Sequence, residues 1–372
     1  MHFLIYVHVP FCLTRCGYCN FYSGEPLEAR PKFPALVLEE ARHRRSCFGE
    51  GLATSIYIGG GTPSLLGEKP LEGLVGGLLA IFEVAPDAEI TVEVNPSSSL
   101  DFRNLANSGI NRVSVGVQAM QERNLKILGR PHGAGKALST VINAVESGMN
   151  VSADLIYGYR GLTTADLLES ARIMVESGVK HLSAYSLETG GGGRPKGRLK
   201  AAGEKRVEEQ GAALLGFLAK AGLRCYEVSN FAIPGFESGH NLGYWRGEAY
   251  LGLGPGAHGF FPLAGENGMR YANAPDLAGY ASAIDSGEVP PGAEEYPTHA
   301  ERVLEKLFLA LRQTARFDPK SITTNPVFNP LLEMMADSGD LVRQDRGLYV
   351  PTPRGLFRAD GLALWLHSKL FP

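Results

Sequence analysis

Short runs of β-branched and aromatic residues alternate along the first two thirds of the chain with longer stretches whose apolar residues recur every three or four positions. The short runs predict six strands, at residues 3–9, 55–58, 89–94, 112–117, 151–156 and 181–186. The longer stretches predict the intervening helices, at residues 33–48, 70–82, 101–107, 135–146 and 164–176. This alternation favours an α/β fold, a complete or partial βα barrel with its chemistry at the carboxyl ends of the strands.

The pattern changes after the sixth strand. Residues 190–198 are rich in glycine and predict a mobile loop, and a helix at 204–221 and a strand at 224–228 follow it. Beyond Pro290 and Pro291 the sequence predicts helices at 298–311, 330–337 and 356–370, with a hairpin at 340–350. Helices around a hairpin indicate a small C-terminal module of winged-helix type.

Composition and charge argue against several classes of function. The 372 residues carry 36 Lys and Arg against 39 Asp and Glu, a net charge of −3, which disfavours a nucleic acid as the main partner. No run reaches the roughly 20 apolar residues of a membrane-spanning helix, so any membrane contact would be peripheral. The first residues have no cationic leader, and the cysteine count of five is odd, so we expect a cytoplasmic protein without a disulfide framework.

Three of the five cysteines, Cys12, Cys16 and Cys19, form a C-x3-C-x2-C pattern directly after the first predicted strand. Free buried thiols would not explain three cysteines in eight residues. Zinc would require a fourth ligand, for which His8 is nearest. A [4Fe–4S] cluster with three protein ligands would leave one iron open to another ligand.

Further segments in the same order resemble the radical S-adenosylmethionine (SAM) superfamily, and within it the subfamily of oxygen-independent coproporphyrinogen III oxidases and HemW-type haem chaperones. They are YVHVPFC at 6–12, GGGTPS at 59–64, EVNP at 93–96, SVGVQ at 114–118, LGRPH at 128–132, DLIYG at 154–158 and HNLGYW at 240–245. The resemblance implies a partial (β/α) barrel core at 1–230, an extension at 231–292 and the winged-helix-like module at 293–372. It also implies a [4Fe–4S] cluster on Cys12, Cys16 and Cys19.

The resemblance further implies a SAM site made by Tyr6, Gly60, Gly61, Thr62, Glu93, Gln118, Arg130 and Asp154. The Asp154 position is notable without it, because an acid inside an apolar strand needs a partner to offset its desolvation. In the superfamily an external electron donor reduces the cluster. The reduced cluster then cleaves SAM to a 5′-deoxyadenosyl radical.

Two features separate members of this subfamily. Porphyrinogen-oxidising members usually carry a fourth cysteine two residues after the third, and this chain has Phe21 there. Phe21 and the motif beginning at His240 resemble the haem chaperones, which bind haem and pass it to an acceptor protein. His240 is the first candidate for a haem ligand, since a neutral imidazole suits haem iron. The alternatives to this assignment are that His240 only orders its loop, or that His258 is the ligand. The alternatives are an oxygen-independent coproporphyrinogen III oxidase or a radical SAM enzyme with an unrelated substrate, because residues 159–163 and 190–198 depart from the family pattern.

Overall fold

The structure of the protein, a computed structural model, describes residues 1–187 and 199–372. The predicted loop at 190–198 lies outside the described residues. Six parallel strands alternate with helices along the first half of the chain, as the sequence pattern predicts. They are β1 (His2–Val9), β2 (Leu52–Gly60), β3 (Glu83–Val94), β4 (Arg112–Gln118), β5 (Asn150–Tyr157) and β6 (His181–Ser186).

Helices cover the outer face of this sheet and continue into the C-terminal half. The first six are α1 (Phe33–Arg44), α2 (Glu68–Ile81), α3 (Phe102–Asn107), α4 (Glu122–Ile127), α5 (Ala134–Glu146) and α6 (Thr164–Glu176). The next three are α7 (Glu204–Lys220), α8 (Gly239–Trp245) and α9 (Leu277–Asp285). The last five are α10 (His299–Leu311), α11 (Pro319–Ile322), α12 (Phe328–Asp337), α13 (Pro353–Phe357) and α14 (Ala359–Leu370).

Six shorter strands extend the parallel set on both sides. They are β7 (Arg224–Glu227), β8 (Asn230–Ala232), β9 (Ala249–Leu253), β10 (His258–Phe261), β11 (Met269–Asn273) and β12 (Gly292–Glu295). Across the described residues the sheet order is β12-β11-β10-β9-β1-β2-β3-β4-β5-β6-β8-β7. β9 is parallel to β1, whereas β8 is antiparallel to β6. Because β12 and β7 form the two ends of this order, the barrel is partial, as expected.

The sequence pattern misplaced some boundaries and missed part of the sheet. β3 begins at Glu83 rather than at residue 89, and the helix predicted to reach residue 48 ends at Arg44. β9 to β12 were not predicted. They are four or five residues long, too short for a clear alternation of apolar and polar side chains, and β9, β10 and β12 each contain a glycine.

The C-terminal module has a hydrophobic core of its own, drawn from residues 303–370. Its hairpin consists of β13 (Leu341–Arg343) and β14 (Tyr349–Pro351). Backbone bonds from Val228 N to Arg312 O (2.9 Å) and from Thr314 N to Tyr226 O (3.1 Å) attach the module to β7. It therefore lies beside the open edge of the barrel. The boundaries at residues 230 and 292 remain predictions.

The inner face of the barrel is polar. Ile5, Val7, Ile56 and Ile58 are completely buried on the face that packs against the helices, and the side chains between them point the other way into the lumen. None of the helices in the described ranges combines the length and apolarity needed to cross a bilayer.

Candidate functional site

The cysteine loop leaves the carboxyl end of β1 and closes on itself. Gly24 N and Glu25 N both donate to Pro10 O, at 2.9 and 3.2 Å, and Cys19 N donates to Cys16 O at 3.1 Å. All three cysteines are free thiols and partly exposed. The short loop therefore holds three soft donors at the mouth of the barrel, as its position after the first strand predicts.

The thiols are close enough to influence one another. Burial raises the pKa of Cys19, and the charges of Cys12 and Cys16 raise it further. In residues 1–187 and 199–372, no group of three or more His, Cys, Asp or Glu side chains is arranged to hold a metal ion. The loop thus brings three thiols together in one short segment whose charges affect one another.

His8 has a different role from the zinc ligand considered above. Its Nε2 donates to Tyr22 O at 2.7 Å, and its Nδ1 accepts from the Tyr6 hydroxyl at 3.1 Å. With both ring nitrogens occupied, His8 fastens the far end of the cysteine loop to β1. Burial lowers its pKa, so the ring is neutral at neutral pH.

The glycines that end β2 allow the cysteine loop to approach closely. A Cβ on Gly61 would lie 2.6 Å from Phe11 O and 3.1 Å from Cys12 Sγ. Gly60 has a φ of 107°, which favours glycine, and a Cβ there would meet the ring of His8 at 2.9 Å. Thr62 follows with its hydroxyl 3.4 Å from Cys12 Sγ. Gly60, Gly61 and Thr62 therefore lie against the cysteine loop.

Glu93 lies on β3 inside the barrel mouth. Its Oε1 accepts from the Tyr57 hydroxyl at 3.0 Å and its Oε2 from Gly60 N at 3.2 Å. Burial, with a further contribution from the charge of Asp154, raises the pKa of Glu93 to about 8. The carboxyl group therefore changes its charge close to neutral pH.

Gln118 and Arg130 occupy the end of β4 and the loop after α4. Gln118 has a φ of 70°, unusual for a residue other than glycine, and such strain is often found at functional sites. Arg130 Nη1 donates to Cys16 Sγ and to the Tyr18 hydroxyl, both at 3.3 Å, and Nη2 donates to Gly116 O at 3.1 Å. Its Nε is buried and has no partner among the described residues, so this guanidinium can take a further acceptor.

Asp154 lies deeper, on β5. The Ser114 hydroxyl donates to its two carboxylate oxygens, at 2.9 and 3.1 Å. Burial raises its pKa, while hydrogen bonds from Ser183 and Ser114 lower it. The partner expected for this acid is therefore a pair of serine hydroxyls on the neighbouring strands.

Several of the side chains predicted to bind SAM are accessible to solvent. Five of these side chains and that of Tyr57 are partly exposed, although for all of them except Arg130 the residues on either side along the chain are buried. The exposed set is Tyr6, Tyr57, Glu93, Gln118, Arg130 and Asp154. Polar side chains are therefore accessible on the strands of the barrel and in the loop after α4. Tyr57 is not among the residues predicted from the sequence, although its alternation with Ile56 and Ile58 on β2 is the signal that places its side chain on the inner face.

His240 lies in the lumen wall, at the opposite end from the cysteine loop. Its side chain is buried, with 1% exposed. A hydrogen bond of 2.7 Å joins its Nδ1 to Ser55 Oγ, and its Nε2 has no partner among the described residues. The rings of Tyr57 and Tyr244 lie 5.1 and 4.7 Å from the His240 ring, between centroids. Burial lowers the pKa of His240 to about 3, so the imidazole is neutral.

Comparison with known proteins identifies the family. Residues 6–174 match the model of the radical SAM superfamily. Over 323 residues, 82% of each chain, the protein is 36% identical to the haem chaperone HemW of Mycobacterium tuberculosis. It is 30% identical to the haem chaperone HemW of Bacillus subtilis over 368 residues, 93% of this chain and 94% of the relative. The chain belongs to the HemW family of radical SAM proteins.

Solved structures agree with this family at the level of the fold. Coproporphyrinogen III oxidase (HemN) from Escherichia coli superposes with a TM-score of 0.81, covering 99% of this chain and 90% of that one, at 20% identity. Radical SAM membership implies a [4Fe–4S] cluster and SAM. The residues fit both groups, because the loop supplies three thiols and the buried Nε of Arg130 has no partner in residues 1–187 and 199–372.

Proposed function

We propose that this protein is a haem chaperone, which binds haem and transfers it to acceptor proteins. The observation that carries the proposal is the similarity to haem chaperones along most of the chain, at 30–36% identity. It is joined by Phe21, whose side chain is 61% exposed on the cysteine loop at the position of the fourth cysteine of porphyrinogen-oxidising relatives. The similarity to coproporphyrinogen III oxidase is one of fold.

The cluster would be held by Cys12, Cys16 and Cys19. When bound, a [4Fe–4S] cluster with three protein ligands supplies an open iron and a single-electron redox couple. Arg130 supports this assignment, because its Nη1 donates to Cys16 Sγ at 3.3 Å and places a positive charge beside a thiolate. His8 and Gly61 fix the path of the loop through the contacts described above.

SAM would lie in the lumen below the loop. Its amino group would face the backbone at Gly60, Gly61 and Thr62, and its ribose hydroxyls would donate to Glu93. The unpaired Nε of Arg130 is available to its carboxylate. The remaining contacts would come from Tyr6, Gln118 and Asp154, which border the same space.

The partners follow from this function: haem, a haem-acceptor protein and an electron donor for the cluster. We place the protein in the cytoplasm, which suits five free cysteines. His240 as the haem ligand remains a prediction. It has an unpaired buried Nε2, but aromatic rings pack against its imidazole.

The test begins with anaerobic reconstitution of the full chain, followed by addition of SAM and then haem. A haem chaperone acquires a Soret band at one haem per chain and passes haem to an apo-acceptor separated from it by affinity tag. Absence of a Soret band, with the cluster intact, would refute the proposal. Decarboxylation of coproporphyrinogen III in the presence of SAM and a reductant would instead establish the oxidase alternative.

A further inference from the structure

A cavity of about 1320 Å³ lies between the open edge of the barrel and the C-terminal module. Pockets for small ligands commonly measure ~300–1,000 Å³, so this one has room for a large planar ring system. Its walls carry aromatic and thioether side chains from both sides. They include Tyr185 on β6, Trp245 on α8, Met334 on α12, Phe357 on α13 and Trp365 on α14.

The cavity exists because the edge of β6 is only half covered. β8 pairs with β6 at His181, Leu182 and Ser183, and the carboxyl half of β6 extends beyond this pairing. Tyr185 is 45% exposed as a result, although it lies within a sheet of twelve strands. An aromatic face exposed to an internal space indicates a surface that a flat apolar ligand would cover.

The module side of the cavity is positively charged. Arg358 Nη1 donates to both carboxylate oxygens of Asp340 at 2.8 Å, and Arg354 approaches the same carboxylate through Nε at 3.2 Å. The Asp340 side chain is 3% exposed, whereas the two arginines are 48% and 59% exposed. Asp340 thus orients both guanidinium groups. The three side chains together carry a net positive charge, and the guanidinium groups keep N–H donors for a carboxylate ligand.

The barrel side contains a polar group whose bonding is incomplete. Glu227 lines the cavity with 1% of its surface exposed, and its Oε2 has no partner among the described residues. Burial raises its pKa to about 7. A buried oxygen without a partner is costly, so this atom points to a ligand or water that satisfies it.

We propose that this cavity is the haem site, with the macrocycle between Tyr185 and the module and the propionates at Arg354 and Arg358. The assignment rests on the proposed haem-chaperone function and deepens it. In this arrangement His240 is not the iron ligand, because it does not line the cavity.

The test is titration of haemin into the anaerobic full chain, followed by its Soret absorbance. Gly361→Phe fills the cavity from α14, where a Cβ meets nothing within 4 Å. Gly216→Phe is the matched control, on an exposed position of α7 that is equally unobstructed. Arg358→Gln removes a propionate partner, and Arg343→Gln in the same module is its control, because Arg343 pairs on the surface with Glu333 and Asp337.

Arg358→Gln is expected to weaken haemin binding about tenfold or more, the loss that one charge-assisted hydrogen bond explains. Gly361→Phe is expected to weaken it because the added ring occupies space in the cavity. Both controls, and His240→Asn, should bind like the wild type with the same Soret maximum. Cluster absorbance and circular dichroism verify that each variant is folded. The assignment is overturned if both cavity variants bind normally, or if His240→Asn alone loses the Soret band. Failure of the wild type to bind haemin would refute the haem function itself.

Discussion

Arg130 donates a hydrogen bond from Nη1 to Cys16 Sγ over 3.3 Å, and so connects the loop after α4 with the cysteine loop after β1. Its Nη2 donates to Gly116 O on β4, so the guanidinium is anchored to the barrel. A fixed positive charge beside a thiolate stabilises the more negative, reduced state of a bound cluster. Hydrogen bonds to cluster sulfurs are among the factors that set its reduction potential.

Arg130→Gln is therefore expected to lower the reduction potential of the reconstituted cluster, with Arg130→Lys between it and the wild type. The corresponding change in the free energy of cluster reduction should not exceed the free energy of one charge-assisted hydrogen bond, about 1.5–3 kcal/mol. Redox titration followed by electron paramagnetic resonance measures it. Arg123→Gln is the control, since Arg123 pairs with Asp166 on the surface. Equal potentials for Arg130→Gln and the wild type would contradict this role.

Substitution of a loop cysteine should reduce cluster content far more than substitution of an isolated cysteine. Cys16→Ser is expected to remove most of the iron and sulfide bound after anaerobic reconstitution, because a hydroxyl is a poor substitute for a thiolate ligand. Cys47→Ser, at an exposed cysteine near the end of α1, should retain the wild-type content. Iron and acid-labile sulfide assays provide the measurement, and equal losses in the two variants would rule out the loop as the cluster site.

Glu93 should make SAM binding depend on pH. Its folded-state pKa is raised to about 8, above the usual value of 4.5, chiefly by burial. If the ribose hydroxyls donate to the ionised carboxylate, SAM affinity rises between pH 7 and 9 as Glu93 loses its proton. Glu93→Gln should bind SAM more weakly and lose this rise, whereas the exposed Glu50→Gln should keep it. Isothermal titration of SAM across this range is the measurement, and an unchanged profile in Glu93→Gln would exclude Glu93 as the source.

The raised pKa of Glu93 also makes the stability of the fold depend on pH, but here stability decreases as the pH rises. Between pH 4.5 and 8 the native state holds a proton on Glu93 that the unfolded chain has released. Stability from this group therefore decreases as the pH rises through that window. Glu93→Gln should flatten this decrease. The free energy of unfolding of the variant, compared with that of the wild type, should therefore be higher at pH 8 than at pH 5. Urea unfolding of the two proteins at pH 5 and pH 8 measures these free energies. An equal loss of stability with pH in the wild type and in Glu93→Gln would argue against this role of Glu93.

The strands and helices that surround the site were predictable because their signals are local. Asp154 and its apolar neighbours lie on one strand, and the three cysteines lie on one loop. What could not be predicted depends on distant chain segments. Glu40 is completely buried on α1 and accepts from Gly254 N and from Asn273 on β11. No local pattern distinguishes such an acid from one on the surface, and the strands that surround it are too short to have a period of their own.

Gly61 tests whether the approach of the cysteine loop to β2 is essential. An added Cβ would lie 2.6 Å from Phe11 O, which is backbone and cannot rotate away, and 3.1 Å from Cys12 Sγ. Gly61→Ala must therefore displace the loop, at a cost of about 1–3 kcal/mol, typical of overpacking. We expect lower cluster occupancy and weaker SAM binding. Gly73→Ala on α2 is the control, since a Cβ there meets nothing within 4 Å and alanine favours the helix. Iron content and SAM titration of the two variants decide the point, because normal cluster and SAM binding in Gly61→Ala would mean that the loop can move away from β2 without loss of either.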